Sequence, residues 1–446
     1  MSTTSTGTTG SAEHQPLLDN PVYRWYVLGV LVLGYIFNVI DRGALGILVQ
    51  PIKNELQISD TAMGLLTGLA FSVFYSVMGV PIARLADRWS RINVLSLAIA
   101  LWSVATAACG AAWNYASLFT FRSLTAVGEA GGSPPSHSLI SDYFPISTRA
   151  TALAIYAMAV PFGTAIGSYT SGWANVYVGW RWTFVLVGLP ALLIALLARL
   201  TIKETPRGYS DGPRSKPLET PPFLEVFGFL LTRRSFMHMS LAAALHSVVW
   251  YSGSIWNAAF FIRYHGMNTG VAGSYLGFFA LIGAVGSFAG GFLSDRLSTK
   301  FDDKRWYMWV PGIGCVAMVP FQFVSYLAPD MTLVVPAFSI MVMLASMFFG
   351  PSFAVAQSVA TVRMRAISAS VLLFIQTIIG LTIGPLIVGA ISDHLSPSIG
   401  DARSLAYGLV IVGLANLWAA VHYYVGSRTY RADLAETAKL NAAEAG

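Results

Sequence analysis

Four ionisable residues stand inside long apolar runs: Asp41 and Arg42 in GYIFNVIDRGALGILV, and Arg122 and Glu129 in SLFTFRSLTAVGEA. A charge left facing hydrocarbon costs several kcal/mol, so each must face a partner or a wet cavity. On helices rising ~1.5 Å per residue, Arg42 and Arg122 each lie about 10 Å below the same membrane surface. Asp41 is level with them, and Glu129 sits two turns further in, on the face of Arg122. These depths predict an Asp41–Arg122 ion pair with Arg42 and Glu129 in the same cavity. The four charges sum to zero. Two carboxylates in a low-dielectric cavity are natural protonation sites, because burial disfavours their charged form. Protonating Asp41 would free an arginine, and the cavity could then hold an anionic head group. The expected chemistry is proton exchange at Asp41 and Glu129, linked to anion binding at Arg42 and Arg122. Protons serve as the coupling ion and no other cofactor is expected.

The elements that must position these residues follow from composition. The chain has 446 residues, 55% hydrophobic and 11% charged, with a mean hydropathy of +0.61. A soluble chain would carry about 25% charged residues. The apolar stretches are too long for the strictly alternating, roughly 10-residue strands of a barrel. A polytopic helical membrane protein remains. Twelve apolar runs can be marked, near 25–49, 61–83, 92–111, 115–141, 150–174, 181–200, 236–262, 270–293, 306–328, 332–360, 367–392 and 404–426. Most suffice to cross a ~30 Å hydrocarbon core. Of the 27 Lys and Arg, only Lys53, Arg181, Arg263 and Arg403 fall on one side, two lie within spans, and the rest fall on the other side. The positive-inside rule therefore predicts that both termini and the long central loop are cytoplasmic. The expected location is a cell (inner or plasma) membrane.

The expected organisation is a disordered cytoplasmic tail over 1–22, six spans over 23–200, a cytoplasmic linker over 201–235, six spans over 236–427 and a cytoplasmic tail over 428–446. Within the linker, FLEVFGFLL (223–231) follows two prolines and precedes two arginines, which suits a short helix lying on the inner membrane face. No segment outside the spans is large enough for a soluble catalytic domain. Nucleotide-binding loops, His-Glu-x-x-His and Gly-x-Ser-x-Gly are all absent from the sequence, which argues against an ATP-driven pump or a membrane hydrolase. A membrane enzyme or receptor is the reading from a different class. The two cysteines, Cys109 and Cys315, sit in apolar runs and form no disulfide framework.

The two halves echo each other. Ala83-Arg-Leu-Ala-Asp87-Arg88 follows span 2, and Gly291-Phe-Leu-Ser-Asp295-Arg296 follows span 8. Gly-x-x-x-Gly occurs in span 2 (Gly64, Gly68), span 5 (Gly163, Gly167), span 8 (Gly286, Gly290) and span 11 (Gly380, Gly384), where glycines let helix backbones approach closely. This plan resembles the major facilitator superfamily: an all-α membrane protein of 12 transmembrane helices in two pseudo-symmetric six-helix bundles. Asp87-Arg88-x-x-Arg91 is similar to the superfamily's Gly-x-x-x-Asp-Arg-x-Gly-Arg, with Ala83 and Ser90 at the two glycine positions. The resemblance implies a cytoplasmic gate latch formed by Asp87, Arg88 and Arg91, with Asp295 and Arg296 in the second half.

A narrower resemblance rests on Asn38-Val-Ile-Asp41-Arg42, on Arg122 through Gly128-Glu129-Ala130, on Pro134-Pro135 and on Ser141-Asp-Tyr-Phe-Pro145. These runs look like the Spinster branch, whose members export lysolipids and sphingoid lipid phosphates. The resemblance implies proton coupling at Asp41 and Glu129, and head-group binding at Arg42 and Arg122. The Gly-Glu-Ala and Ser-Asp-Tyr-Phe-Pro runs also resemble organic-anion symporters, so uptake of sugar acids is the alternative. The second half offers few charges. Trp250, Tyr251 and Gln376 are its candidate substrate contacts, with Trp256 and Asn257 beside them, and an aromatic half facing a charged half would suit an amphiphile. His246 is a further candidate for the cavity. Prolines 134 and 135 are expected to break span 4, and Pro161 to bend span 5. The expected partners are an anionic lipid or amphiphile and the membrane lipids, with no nucleic acid, for a chain that works as a monomer.

Overall fold

The computed structural model describes residue 18 and residues 20–207, 209–211 and 221–445. The expected tail therefore lies almost wholly outside the described residues, as does the middle of the linker. Among the described residues the chain is helical throughout, with no strand.

Span 1 is one helix, Pro21–Leu56, begun by an Asn20 side chain that accepts from the Val22 N–H and by a proline at the first helical position. Span 2 comprises Asp60–Thr67 and Leu69–Arg88, hinged at Gly68. Span 3 is Arg91–Cys109. Span 4 starts in an Asn114–Ser117 capping box, stops at Glu129 and resumes at Ser133, so the double proline opens the second segment (Ser133–Tyr143). Span 5 starts with Ile146–Ala157 and restarts at Ala159, two residues before Pro161. Gly179, at φ 78°, turns the chain into span 6, which ends with Pro190–Thr201. The linker holds a short helix, Phe223–Thr232, that buries Val226 and Leu230 and exposes Phe223, Leu224 and Leu231.

Span 7 is Arg234–His265, span 8 is Thr269–Lys300 and span 9 is Trp306–Leu327. Span 10 joins Met331–Ser346 to Phe349–Ser358. Span 11 joins Arg365–Gln376 to Thr382–Ile399 through a wide turn at Thr377–Leu381, and span 12 joins Asp401–Gly413 to Ala415–Ala445. Nine stretches among the described residues are long and apolar enough to cross a membrane. One of them, Ile146–Thr201, contains the Gly179 turn and counts twice. Span 4, broken after Glu129, and span 7 complete the twelve.

Residues 428–445, within the expected cytoplasmic tail, belong to the last helix. Up to Ala445 they continue span 12 as helix and dock on the second half. Asp433 accepts from the Ser235 N–H at 2.9 Å, Thr437 donates to the Val359 carbonyl at 3.0 Å, and Asn441 accepts from the Val362 N–H at 3.1 Å.

Packing shows which end is closed. At the end bearing the termini and the basic loops, here called the basic end, each half keeps its own core. One gathers Val27, Leu95, Ile140 and Ala195, the other Val226, Phe236, Val359 and Tyr423. At the opposite end a single core joins Leu48, Ile52, Met63 and Leu66 of the first half to Trp256, Phe260 and Val388 of the second. The molecule is fused at the end away from the termini and split at the basic end.

Candidate functional site

The four charged residues meet in the first half, midway along spans 1 and 4. Asp41, Arg122 and Glu129 are 2%, 4% and 1% exposed, whereas the Arg42 side chain remains 36% exposed. Arg42 pairs with Glu129 through its Nε. Arg122 Nη1 stands 3.6 Å from Asp41 Oδ1, close enough for ionic attraction but too far for a hydrogen bond. Asp41 instead accepts from the Thr106 hydroxyl through its other oxygen. Asp41 Oδ1, Glu129 Oε1, and Arg122 Nε and Nη1 have no hydrogen-bond partner. Such groups are costly to leave dry, so the site is built to take up water, a proton or a ligand.

Local sequence explains the placement. Span 4 stops at Glu129 because the two residues that follow Ala130 are glycines and the next three are Ser-Pro-Pro. The Gly128 backbone lies directly against Trp102 of span 3, where an added Cβ would come within 2.6 Å of the Trp102 nitrogen. This contact holds the end of span 4 beside span 3, near Thr106.

Sequence reasoning missed the aromatic component. The buried Phe71 ring of span 2 lies between the two cations, 5.0 Å from the Arg42 guanidinium carbon and 4.8 Å from that of Arg122. Tyr75, one turn on, stacks on Phe71 with centroids 5.5 Å apart and sits 4.9 Å from Arg42. The only sequence signal was an aromatic pair at i, i+4 in span 2.

The second-half candidates separate. Tyr251 packs into a cluster with Phe71, Tyr75 and Leu381, next to the charges. Gln376 is buried and its Nε2 has no partner, at the start of the wide turn in span 11. Trp250 stands edge-on to Phe349 at 5.5 Å. Trp256 is fully buried and donates to the Pro385 carbonyl at 2.9 Å, and Asn257 accepts from Tyr326. Both of these contacts pack spans together. His246 is also interior, with Nδ1 2.7 Å from Asn416 and Nε2 2.8 Å from the Ala345 carbonyl.

Among the described side chains, the expected latch at the basic end makes polar contacts within each half. Arg91 is buried within the first half, on Asp142, Glu204, Ser138 and Thr205. Asp295 accepts from Tyr307 at 2.6 Å within the second half, and Arg88 and Arg296 are exposed. The Asp87 side chain lies outside the described ones. The halves are tied at the opposite end, by residues of which sequence reasoning counted only Lys53 and Arg263, as loop charges. Asp60 of span 2 takes both Nη atoms of Arg263 (2.6 and 2.8 Å), Lys53 at 2.7 Å and the Ser392 hydroxyl at 2.7 Å. Asp393 of span 11 accepts from the Asp60 and Thr61 N–H groups at 3.0 and 2.7 Å, capping span 2 from the other half.

Comparison with known proteins agrees with this arrangement. Residues 31–380 match the family model of the Major Facilitator Superfamily. The crystal structure of a bacterial homologue of the human lysosomal transporter Spinster, inward-facing and unoccupied, superimposes with a TM-score of 0.85 at 32% identity, over 93% of this chain and 99% of that one. An MFS-type efflux pump of Mycolicibacterium smegmatis is 30% identical over 94% of this chain and 96% of its own length. A probable galactarate/D-glucarate transporter of Bacillus subtilis is 26% identical over 90% of this chain and 91% of its own. The twelve spans in two halves, the charges buried in one of them and these likenesses place the chain in the major facilitator superfamily, as a Spinster-like transporter related to carriers of sugar acids.

Proposed function

We propose that the chain is a proton-coupled carrier of an anionic amphiphile, such as a lysophospholipid or a sphingoid phosphate. It works as a monomer in a cell membrane, with the basic end in the cytoplasm. The observation that carries this reading is the under-satisfied Arg122, buried beside Asp41 with two nitrogens that have no hydrogen-bond partner. With Asp41 ionised, the four charges cancel. A proton on Asp41 removes the counter-charge of Arg122, and an anionic head group restores it. Each event therefore favours the other. Arg42 and Glu129 form the second, more exposed half of the same exchange. Tyr251 packs next to the charges, and with Trp250 and Gln376 it suits the less polar part of the cargo.

A second reading, a sugar-acid symporter, is favoured by the likeness to the galactarate/D-glucarate carrier along nine-tenths of the chain. Both readings use the same arginines and differ in what the second half must accept. Transport of a lysophosphatidylglycerol into proteoliposomes, driven by a pH gradient, tests them. The expected result is uptake that collapses in Asp41→Asn and Glu129→Gln while both variants stay folded, with galactarate a poor competitor. Strong competition by galactarate and no lysolipid movement would select the second reading. Wild-type pH response in both variants would remove the coupling role.

A further inference from the structure

A small cavity lies inside the first half, one turn nearer the basic end than Asp41. Its polar lining comes from Tyr35, Asn38, Trp102, Ser133, Ser136 and Tyr156, contributed by spans 1, 3, 4 and 5. Trp102 is 2% exposed and its Nε1 has no hydrogen-bond partner. Asn38 is buried beside it. The cavity stacks directly under the charged layer. Asn38 precedes Asp41 by three residues on span 1, and Trp102 precedes Thr106, the donor to Asp41, by one turn on span 3. Each step is one helical turn, about 5 Å, which a single water spans.

The groups are those a water needs. The indole N–H only donates. Ser136 spends its own proton on the Gly132 carbonyl and keeps lone pairs to accept. Asn38 does both. A water in a polar cavity needs two to four partners, and here it has them, with room for about one molecule. Toward the basic end, the Tyr156 ring stacks on Tyr35 at 4.7 Å and meets His137 edge-on at 5.2 Å, and His137 is exposed. On its basic side, one ring contact separates the cavity-lining Tyr156 from this exposed side chain.

The route between the halves is electrostatically less suited to a proton. It leads past Arg42, the one member of the quartet with a substantially exposed side chain, and guanidinium groups repel an incoming proton.

We propose that Asp41 is protonated through the interior of the first half, along Tyr156, Ser136 and a water held by Trp102 and Asn38, while cargo uses the space between the halves. This rests on the proton-coupled reading above. On accepting a proton from Tyr156, Ser136 turns its own hydroxyl proton from the Gly132 carbonyl to the water, and each hydroxyl or water likewise accepts one proton and releases another onward, so the net change is one proton from solvent to the Asp41 carboxylate. Trp102 passes no proton; it is a positioning residue for the water.

The test needs no cargo. In full-length protein in lipid nanodiscs, an acid pH jump is followed by the infrared carbonyl band of the protonated carboxyl, assigned by its loss in Asp41→Asn. Trp102→Phe and Asn38→Leu are expected to reach the wild-type amplitude about tenfold more slowly, equivalent to about 1.4 kcal/mol in the barrier. Asn38→Ser, which keeps a polar group, is expected to recover most of the rate. Wild-type rates in both Trp102→Phe and Asn38→Leu would overturn the inlet and leave the coupling reading standing. If either of these two variants unfolds, Ser136→Ala gives the same reading from another wall. Absence of any Asp41 band in the wild type would strike the coupling reading itself, and the inlet with it.

Discussion

A benzene ring between two guanidinium groups is worth more in a dry site than at a surface. Each such contact contributes on the order of 0.5–2 kcal/mol, with the upper end reached when the cation is desolvated, as Arg122 is. Phe71→Leu keeps the volume roughly constant and removes the ring. We expect it to destabilise the purified protein by about 1–2 kcal/mol in detergent unfolding, and Phe71→Tyr to cost much less. Equal melting of Phe71→Leu and the wild type would show that the ring serves packing alone. A second residue-scale prediction concerns Glu204, outside the spans. Burial pushes its carboxyl up, but Arg91, Ser90 and the Ile92 N–H outweigh this and hold it below the usual glutamate range. A carboxylate lowered on folding adds stability above the ordinary glutamate range and loses it as the pH falls through the folded value. Acidification should therefore lower the unfolding temperature more in the wild type than in Glu204→Gln. Parallel acid profiles would refute this.

Among the elements, the glycine pairs were visible in the sequence but their partners were not. Of the four pairs marked in the sequence, Gly64 and Gly68 of span 2 bridge the halves, lying against the Pro385 and Leu381 carbonyls of span 11. The pairs in spans 5, 8 and 11 lie against spans 1, 10 and 7 within their own halves. A Cβ on Gly68 would come 2.4 Å from the Leu381 oxygen, whereas one on Gly43 meets nothing within 4 Å. Gly68→Ala should thus push the halves apart at the closed end and raise the labelling of cysteines placed there. Gly43→Ala should be neutral or gain up to about 1 kcal/mol from helix propensity. Matching labelling in the two variants would contradict the assignment. The twelve apolar runs and the Pro134-Pro135 break were legible because length, hydropathy and proline are local properties. Helix ends were less so. Span 12 runs on to Ala445 because Asp433, Thr437 and Asn441 find partners far away in sequence, which no local pattern encodes.

At the scale of the whole molecule, charge distribution revealed the two ends, and the buried quartet was legible because ionisable residues in apolar runs are rare enough to announce themselves. Which end is shut was not legible. Asp60 and Arg263 are 203 positions apart, and a lone aspartate beside a short loop looks like any solvated charge. Removing one partner of a buried ion pair costs about 3–5 kcal/mol, which shifts a two-state equilibrium by more than about a hundredfold. Asp60→Asn is therefore expected to populate a form opened at this end. Spin-label distances between the ends of spans 1 and 7 that carry Lys53 and Arg263 should lengthen, and wild-type distances would argue that the apolar core of that end suffices alone. The Asp393 contact carries a further consequence. When the faces part, span 2 gives up the borrowed carboxylate at its first turn, and two amides are left to find water. That loss acts as a restoring spring, which draws this mouth shut again whenever nothing else holds the faces apart.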